Sequence, residues 1–289
     1  MIHITAILVL YNTKLQESQT FISLSKADDL LNIHLLVFDN SPFVQFEDSD
    51  FELNGIKITY KSDIHNSGLA SAYNWAVDYS LSKSIDWLLL LDQDTQLPEN
   101  FFVEIQKVLV QVPVKKDESI VSIIPFIRSN GRIASPTIMK TGGYTRKINQ
   151  QGNSIITHKQ ATAINSCNLV RVSFIEQIGG FTLDFPLDML DHWFFRTLHK
   201  KGKSIFLMNN SIEHALSVFA NEYVTIQRYK RILTAEHDYF TKLNKPLEPI
   251  IYGFRLVFRF LKHFLTAKFS YSNLSLTFLF KLLKTIILK

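Results

Sequence analysis

The 289-residue chain is 46% hydrophobic and 20% charged, an ordinary globular composition with enough apolar side chains for a large core. Its one cysteine, Cys167, excludes an internal disulfide framework and a cysteine-based zinc cluster, and fits a reducing compartment. The net charge of +5 sits at one end: from Lys245 onward there are eight Lys/Arg and one acidic residue, Glu248, so the last 45 positions carry +7 and the first 244 carry −2. A domain that binds nucleic acid would carry its excess on the folded body, so nucleic acid is not an expected partner.

The opening MIHITAILVLYN has no basic region and no small-residue cleavage site; its alternation reads as a first strand, Ile4 to Leu10, not a signal peptide. A polar helix through about Leu31 is expected next, then a strand from His34 to Phe38 that ends at Asp39-Asn40-Ser41. Lys57 to Lys61 reads as a short third strand leading into Asn66-Ser67-Gly68, Leu69 to Leu81 as a helix, and Trp87 to Leu91 as a fourth strand. Strands alternating with helices imply βαβ units and a parallel sheet. After Leu97-Pro98-Glu99 comes a helix, Phe101 to Val110, and then a more irregular half. There Ile120 to Phe126 is a strand, the turn-rich Arg128 to Asn153 suits loops that cover a substrate, and Ala163 to Val170 is strand-like. Asp191 to Lys201 is a helix, and Ser204 to Met208 a strand.

The tail differs. Phe254, Val257, Phe258, Leu261 and Leu265 recur at helical spacing, with Arg255, Arg259 and Lys262 on a neighbouring face; Ser272 to Leu288 is again apolar, broken by Lys281 and Lys284. The longest uncharged run there, Phe269 to Phe280, has 12 residues, too few to span a bilayer. A basic amphipathic helix lying on an anionic membrane surface is expected. Packing on the core or on the partner in a homodimer is the alternative.

The most informative segment is IDWLLLLDQDT, Ile85 to Thr95, an apolar run that stops in Asp92 and Asp94. Strands this apolar are usually covered on both faces, and the loop at their carboxyl end is where ligands sit. Two carboxylates together call for a counter-charge, which a divalent cation carrying phosphates supplies. The string itself leaves three readings open. One is the first motif of haloacid-dehalogenase-type phosphatases, with Asp92 as nucleophile; another is the D-x-D motif of GT-A glycosyltransferases; the third is a plain acidic turn. No G-D-x-x-x-D-like segment follows, and a whole α/β stretch precedes the motif, which favours the transferase. The dinucleotide fingerprint G-x-G-x-x-G and the loop G-x-x-x-x-G-K-[ST] are absent, which removes the main sequence support for hydride transfer and for a P-loop NTPase.

Tyr11-Asn12 after strand one, Asp39-Asn40-Ser41 after strand two, the run His65 to Asn74 and the D-x-D string together resemble the family 2 glycosyltransferases, more narrowly their rhamnosyltransferase-like branch, over roughly residues 4 to 215. The resemblance implies an α/β, GT-A fold: a Rossmann-like nucleotide-binding half with a mixed central sheet (about 1–115), an acceptor-binding half (about 116–215) and C-terminal amphipathic helices (216–289). It implies that Asp39 bonds the pyrimidine base, whose N3–H a carboxylate can accept. Tyr11, Asn12, Asn66, Gly68, Asn74 and Gln93 fall around the nucleotide, where small residues admit backbone and a helix start offers N–H groups to phosphate. Asp92 falls near ribose and metal, Asp94 on Mg²⁺ or Mn²⁺ directly, and His214 of Ser211-Ile212-Glu213-His214 is a further metal ligand. After Gly179-Gly180-Phe181 the catalytic base falls on Asp191, because a carboxylate at a helix start stays ionised and can take a proton from a hydroxyl. Asp188 is its rival, or else the cap of the helix. His192 stands where many relatives carry an acidic residue.

The activity implied is inverting transfer of a sugar, rhamnose from dTDP-rhamnose or a hexose from a UDP-sugar, to a hydroxyl of a glycan or glycolipid acceptor. The expected acceptor is a lipid-linked surface polysaccharide at the cytoplasmic face of the cell membrane. A phosphatase using Asp92, and a nucleotide-sugar-binding subunit without turnover, are the alternatives from other classes.

Overall fold

A computed structural model describes residues 4–27, 33–148, 152–156, 160–214, 224–242, 245 and 247–288; the side chains of Val112, Pro113 and His214 lie outside the description. The chain divides into two units, Met1–Thr137 with Lys147–Phe219, and Ile138–Arg146 with Ala220–Lys289.

In chain order the strands are β1 Ile4–Leu10, β2 His34–Asp39, β3 Ser49–Leu53, β4 Ile56–Ser62, β5 Trp87–Asp92, β6 Thr95–Gln96, β7 Ile120–Ser129, β8 Arg132–Ser135, β9 Thr137–Met139, β10 Thr145–Lys147, β11 Ser154–Ile156, β12 Ala161–Thr162, β13 Asn168–Arg171 and β14 Ser204–His214. The helices are α1 Gln19–Leu24, α2 Leu69–Ser82, α3 Phe101–Val110, α4 Val112–Lys116, α5 Val172–Gln177, α6 Leu190–Lys200, α7 Ile226–Lys242, α8 Leu247–Leu265 and α9 Phe269–Ile287.

The first unit is built on one sheet in the order β11-β14-β7-β13-β5-β1-β2-β4-β3, with β6 on β14 and β8 on β7. β5, β1, β2 and β4 run parallel. β13 lies antiparallel to both β5 and β7, so the sheet is mixed, as the resemblance implies. The parallel strands are near-continuous apolar runs because both faces are covered: Ala6 to Leu10 and Trp87 to Leu91 are all buried. Leu89, Leu91, Phe101, Phe102, Ile105 and Leu109 belong to one core cluster.

Several elements depart from the expectation, among them the short strands β8, β9 and β10 within the turn-rich stretch read as loops. β3 and β4 form a hairpin through Asn54 and Gly55, both at positive φ, the conformation that tight hairpin turns demand and that Asn-Gly supplies. The polar helix expected to reach about Leu31 is α1, which ends at Leu24; residues 28–32 lie outside the description. β14 does not stop at Met208: a register shift between Leu207 and Ser211 absorbs Asn209-Asn210, and the strand resumes along β7 as far as Glu213.

The second unit contains α7, α8, α9 and the loop 138–146. α7 was not foreseen; it buries Tyr229, Leu233, Glu236, His237, Tyr239 and Phe240. The buried carboxylate of Glu236 accepts from both terminal nitrogens of Arg259, from Arg255 and from the Tyr252 hydroxyl. The loop is tied to α8 through Gly142, whose N–H donates to Glu248 (2.7 Å) and whose carbonyl accepts from Arg255 (2.7 Å). Gly142 sits at φ +71°, and a Cβ there would lie 2.4 Å from Ile251, so only glycine fits. α8 buries Tyr252, Leu256 and His263, while Phe254, Phe258, Leu261 and Leu265 recur at helical spacing on its exposed side. No helix among the described residues is long and apolar enough to cross a membrane.

Candidate active site

The acidic turn is held by its backbone. Asp92 closes β5 opposite Val9 of β1, Asp94 is exposed, and Thr95 opens β6. Buried Thr20, on α1, donates its hydroxyl to the carbonyl of Asp92 and accepts the Thr95 N–H at 3.0 Å. The Gln93 carbonyl accepts from the Ser18 hydroxyl (2.8 Å) and the Thr20 N–H (3.3 Å), and the Thr95 hydroxyl meets that of buried Ser166 at 2.7 Å. Gln93 uses its side chain as a clamp. Its Oε1 accepts the Tyr11 N–H (2.7 Å) and its Nε2 donates to the Tyr11 carbonyl (3.2 Å), tying the loop after β1 to the acidic turn.

Asp39 closes β2 with its side chain fully buried. One oxygen accepts the Ser41 N–H (2.9 Å), the other the Tyr60 hydroxyl and the Gln45 amide (each 2.7 Å). Ser41 in turn accepts the Asn12 N–H (2.9 Å), while Gln45 accepts the Leu15 N–H (2.8 Å) and donates to the Thr13 carbonyl (2.9 Å). The loop carrying Tyr11 and Asn12 therefore hangs from Asp39 through Ser41 and Gln45. Of the roughly four acceptor positions of a carboxylate, three are filled inside the protein. Burial, and then the bond to Asp39, push the Tyr60 hydroxyl well above its ordinary pKa, so it remains a donor. Asn66 is exposed at φ 51° in a turn organised by Asp63, which accepts from Ser67 and His65. Burial alone would raise the Asp63 pKa; the Ser67 and His65 bonds outweigh it and hold the group below the usual carboxylate range.

Gly68 and Asn74 form a seam between α2 and the segment before α6. A Cβ on Gly68 would lie 2.5 Å from the Pro186 carbonyl, to which the Ala70 N–H donates at 3.3 Å. Asn74 donates to the Phe181 carbonyl (2.8 Å) and accepts the Phe181 N–H (2.7 Å), while a Cβ on Gly180 would come within 2.8 Å of Asn74 Oδ1. The small residues of one motif and the Gly-Gly-Phe of the other thus fit each other. Beyond the seam, Asp191 stands half-buried in the first turn of α6, accepting the His192 N–H at 2.7 Å. Asp188 is half-buried just before it and is not the cap: that position falls on Met189, at φ 68°, which makes no side-chain cap bond. His192 Nδ1 meets the Thr162 hydroxyl at 2.9 Å.

Asp92 and Asp191 converge electrostatically on Tyr73, one residue before Asn74. Burial, followed by the charges of Asp92 and Asp191, raises the pKa of its hydroxyl well above the ordinary value. Ser18, Thr20, Gln45, Tyr60, Asp63, Tyr73 and Ser166 are among the residues of this region that sequence reasoning missed, and of these only Tyr73 lies inside a recognised motif.

Asp92 and Asp94 supply the hard oxygen donors that Mg²⁺ or Mn²⁺ takes. The backbone of His214 pairs with Thr95, the residue after Asp94; its side chain lies outside the description. Among the described residues no three His, Cys, Asp or Glu side chains form a ready metal cage. The residues present fit an ion held by one or two carboxylates together with ligand phosphates.

The chain is 23% identical over 272 residues to the dTDP-rhamnosyl transferase RfbF of Shigella flexneri, covering 88% of this chain and 84% of that one. Among solved structures, the mannosyltransferase PcManGT from Pyrobaculum calidifontis, in complex with GDP-Man and Mn²⁺, aligns over 98% of this chain and 74% of its own, with a TM-score of 0.51 and 13% identity. S. aureus TarS 1–349 aligns over 96% of this chain and 90% of its own, with a TM-score of 0.48 and 11% identity. The fold is of the GT-A type, a mixed central sheet with helices. The model of glycosyl transferase family 2 matches residues 5–179, from β1 through α5 and across Asp39, α2 and the acidic turn, and the chain belongs to that family.

Proposed function

We propose that the chain is an inverting, metal-dependent glycosyltransferase that moves a sugar from a pyrimidine nucleotide donor to a hydroxyl of a lipid-linked surface glycan, with Asp191 as the general base. What supports this reading is Asp92 at the carboxyl end of β5, where ligands of such sheets bind, with Asp191 near enough that the charges of both reach the buried Tyr73 hydroxyl. dTDP-rhamnose is favoured as donor by the likeness to RfbF, with a UDP-sugar as the alternative.

Residues 1–215 are read as the catalytic domain, about 1–115 for the donor and 116–215 for the acceptor. Tyr11, Asn12, Asn66 and Gln93 line the nucleotide side; Asp39 anchors the loop of Tyr11 and Asn12 and offers its remaining acceptor position to the base; Gly68 and Asn74 shape the start of α2. Asp94, with Asp92 and His214, would hold Mg²⁺ or Mn²⁺, which supplies charge compensation for the leaving nucleoside diphosphate. An Asp191 oxygen accepts the proton of the acceptor hydroxyl while the oxygen of that hydroxyl bonds the anomeric carbon. The bond from that carbon to the diphosphate oxygen breaks on the opposite face, and one displacement inverts the configuration. Residues 216–289 hold the enzyme at the cytoplasmic face of the membrane: the exposed Phe254, Phe258, Leu261 and Leu265, with Lys262 and Lys268 nearby, suit an anionic surface.

A nucleotide-sugar panel with Mg²⁺ or Mn²⁺, read by thermal shift and by donor turnover, identifies the donor. Asp191→Asn is expected to keep donor affinity and lose transfer by roughly 10²–10⁴-fold. Unchanged transfer in that variant moves the base to Asp188, for which Asp188→Asn is the matching measurement. Phe258→Asp with Leu265→Asp should weaken co-sedimentation with anionic liposomes; no change there favours a homodimer role for the tail.

A further inference from the structure

Tyr73 lies in α2 with its side chain fully buried and its ring 5.1 Å from that of Phe181. Its hydroxyl has no hydrogen-bond partner among the described residues. A buried donor left unmade costs stability, and phenylalanine would fill the same space without that cost. Folding alone therefore gives no reason for the oxygen. Nor can the ring swing toward a partner cheaply, because it is fully buried and packed on Phe181, which Asn74 holds at both its N–H and its carbonyl.

The hydroxyl must find its acceptor where it stands, and Asp92 and Asp191 are the carboxylates whose charges reach it. A phenol donates to one acceptor at a time. Asp92 belongs to the donor and metal side of the proposed reaction. Asp191 accepts a single hydrogen bond among the described residues, from the His192 N–H, and one bond leaves its carboxylate plane without a fixed aim.

Resting on the glycosyltransferase reading, we propose that Tyr73 is a positioning residue whose O–H donates to the Asp191 carboxylate when the nucleotide sugar is bound, fixing the base toward the acceptor hydroxyl. The buried, unpartnered oxygen is then a reserved donor, and the packing on Phe181 is what keeps it in place.

Tyr73→Phe in the full chain removes the oxygen and keeps the shape. The measurements are kcat and donor KM for transfer, donor Kd by calorimetry, and thermal unfolding. The expected result is a fall of about 10–100-fold in kcat, as misplacement of a reacting group by a fraction of an ångström to an ångström causes. Donor KM and Kd should stay within about threefold and Tm should not fall, since no bond of the folded protein is lost. Equal turnover by wild type and Tyr73→Phe overturns the proposal alone. A lowered Tm with KM and kcat moving together also overturns it, in favour of a packing role. A wild-type protein that neither transfers nor hydrolyses any nucleotide sugar overturns the glycosyltransferase reading and this proposal with it.

Discussion

β2 and β5 end alike, in an aspartate at the carboxyl edge of the same parallel run, yet the protein treats the two ends in opposite ways. At Asp39 the side chain is the scaffold: it is fully buried and accepts from Ser41, Gln45 and Tyr60, and the loop after β1 hangs from it. At Asp92 to Asp94 the backbone is held instead, by Ser18, Thr20 and the pairing of Thr95, and Asp94 is exposed. The same residue type at the same topological position anchors a loop through its carboxylate at Asp39, whereas in the acidic turn it is the main chain that Ser18 and Thr20 fix. Burial and the identity of the donors, more than the motif, separate the two.

The largest effect that sharpens this contrast is on turnover. Asp94→Asn should lower transfer by roughly 10²–10³-fold, the scale of losing one electrostatic stabiliser. Its Tm should hardly move, as substitutions at exposed positions usually stay within about 0.5 kcal/mol. Asp39→Ala should do the reverse first. Three donors, two of them buried, lose their acceptor, a cost of about 3 kcal/mol and a Tm lower by roughly 6–12 °C for a protein of this size. A stable Asp39→Ala protein, or an Asp94→Asn protein that unfolds early, would break the distinction. Thr20→Val comes next: it keeps both carboxylates and the packed shape, but leaves the Asp92 carbonyl and the Thr95 N–H without their partner. About 1–3 kcal/mol of stability should go, and transfer should fall although Asp92 and Asp94 are intact. Wild-type transfer at wild-type Tm would mean that the clamp does not align the turn.

Much of the frame is legible in the sequence for a physical reason: where period and polarity change together, element boundaries follow. β1 and α3 occupy the expected limits, Ile4–Leu10 and Phe101–Val110, because each is an apolar pattern bounded by polar turns. β3 escaped because Ser49–Leu53 alternates weakly and is largely exposed, although Asn54-Gly55 was the hairpin signal. α7 escaped because its inner face includes Glu236 and His237, which read as solvent-facing until Arg255 and Arg259 of α8 are set against that glutamate. The end of β14 was hidden by Asn209-Asn210, a turn signal that proved to be an irregularity within a continuing strand. In the candidate site the carboxylates are visible as motifs, but their supports are not. Thr20 meets Thr95 across 75 positions and Asn74 meets Phe181 across 107, separations that no local pattern reports.

Gln93 carries the smallest of these effects and the finest test of the comparison, because it joins the two strand ends. Its amide holds both backbone groups of Tyr11, while Asp39 holds Asn12, Thr13 and Leu15 through Ser41 and Gln45. The loop after β1 is thus gripped from the buried aspartate on one side and from the acidic turn on the other. Tyr11 is exposed, so water can replace the lost partners, and Gln93→Ala should cost less than about 1 kcal/mol in unfolding. If the loop lines the nucleotide, donor KM should rise about three- to tenfold with kcat little changed, because a freed loop must be ordered anew at each binding event. A fall in kcat at constant KM would instead place the contribution of Gln93 in the aim of Asp92 and Asp94, and the Tyr11 clamp would then serve the turn rather than the loop.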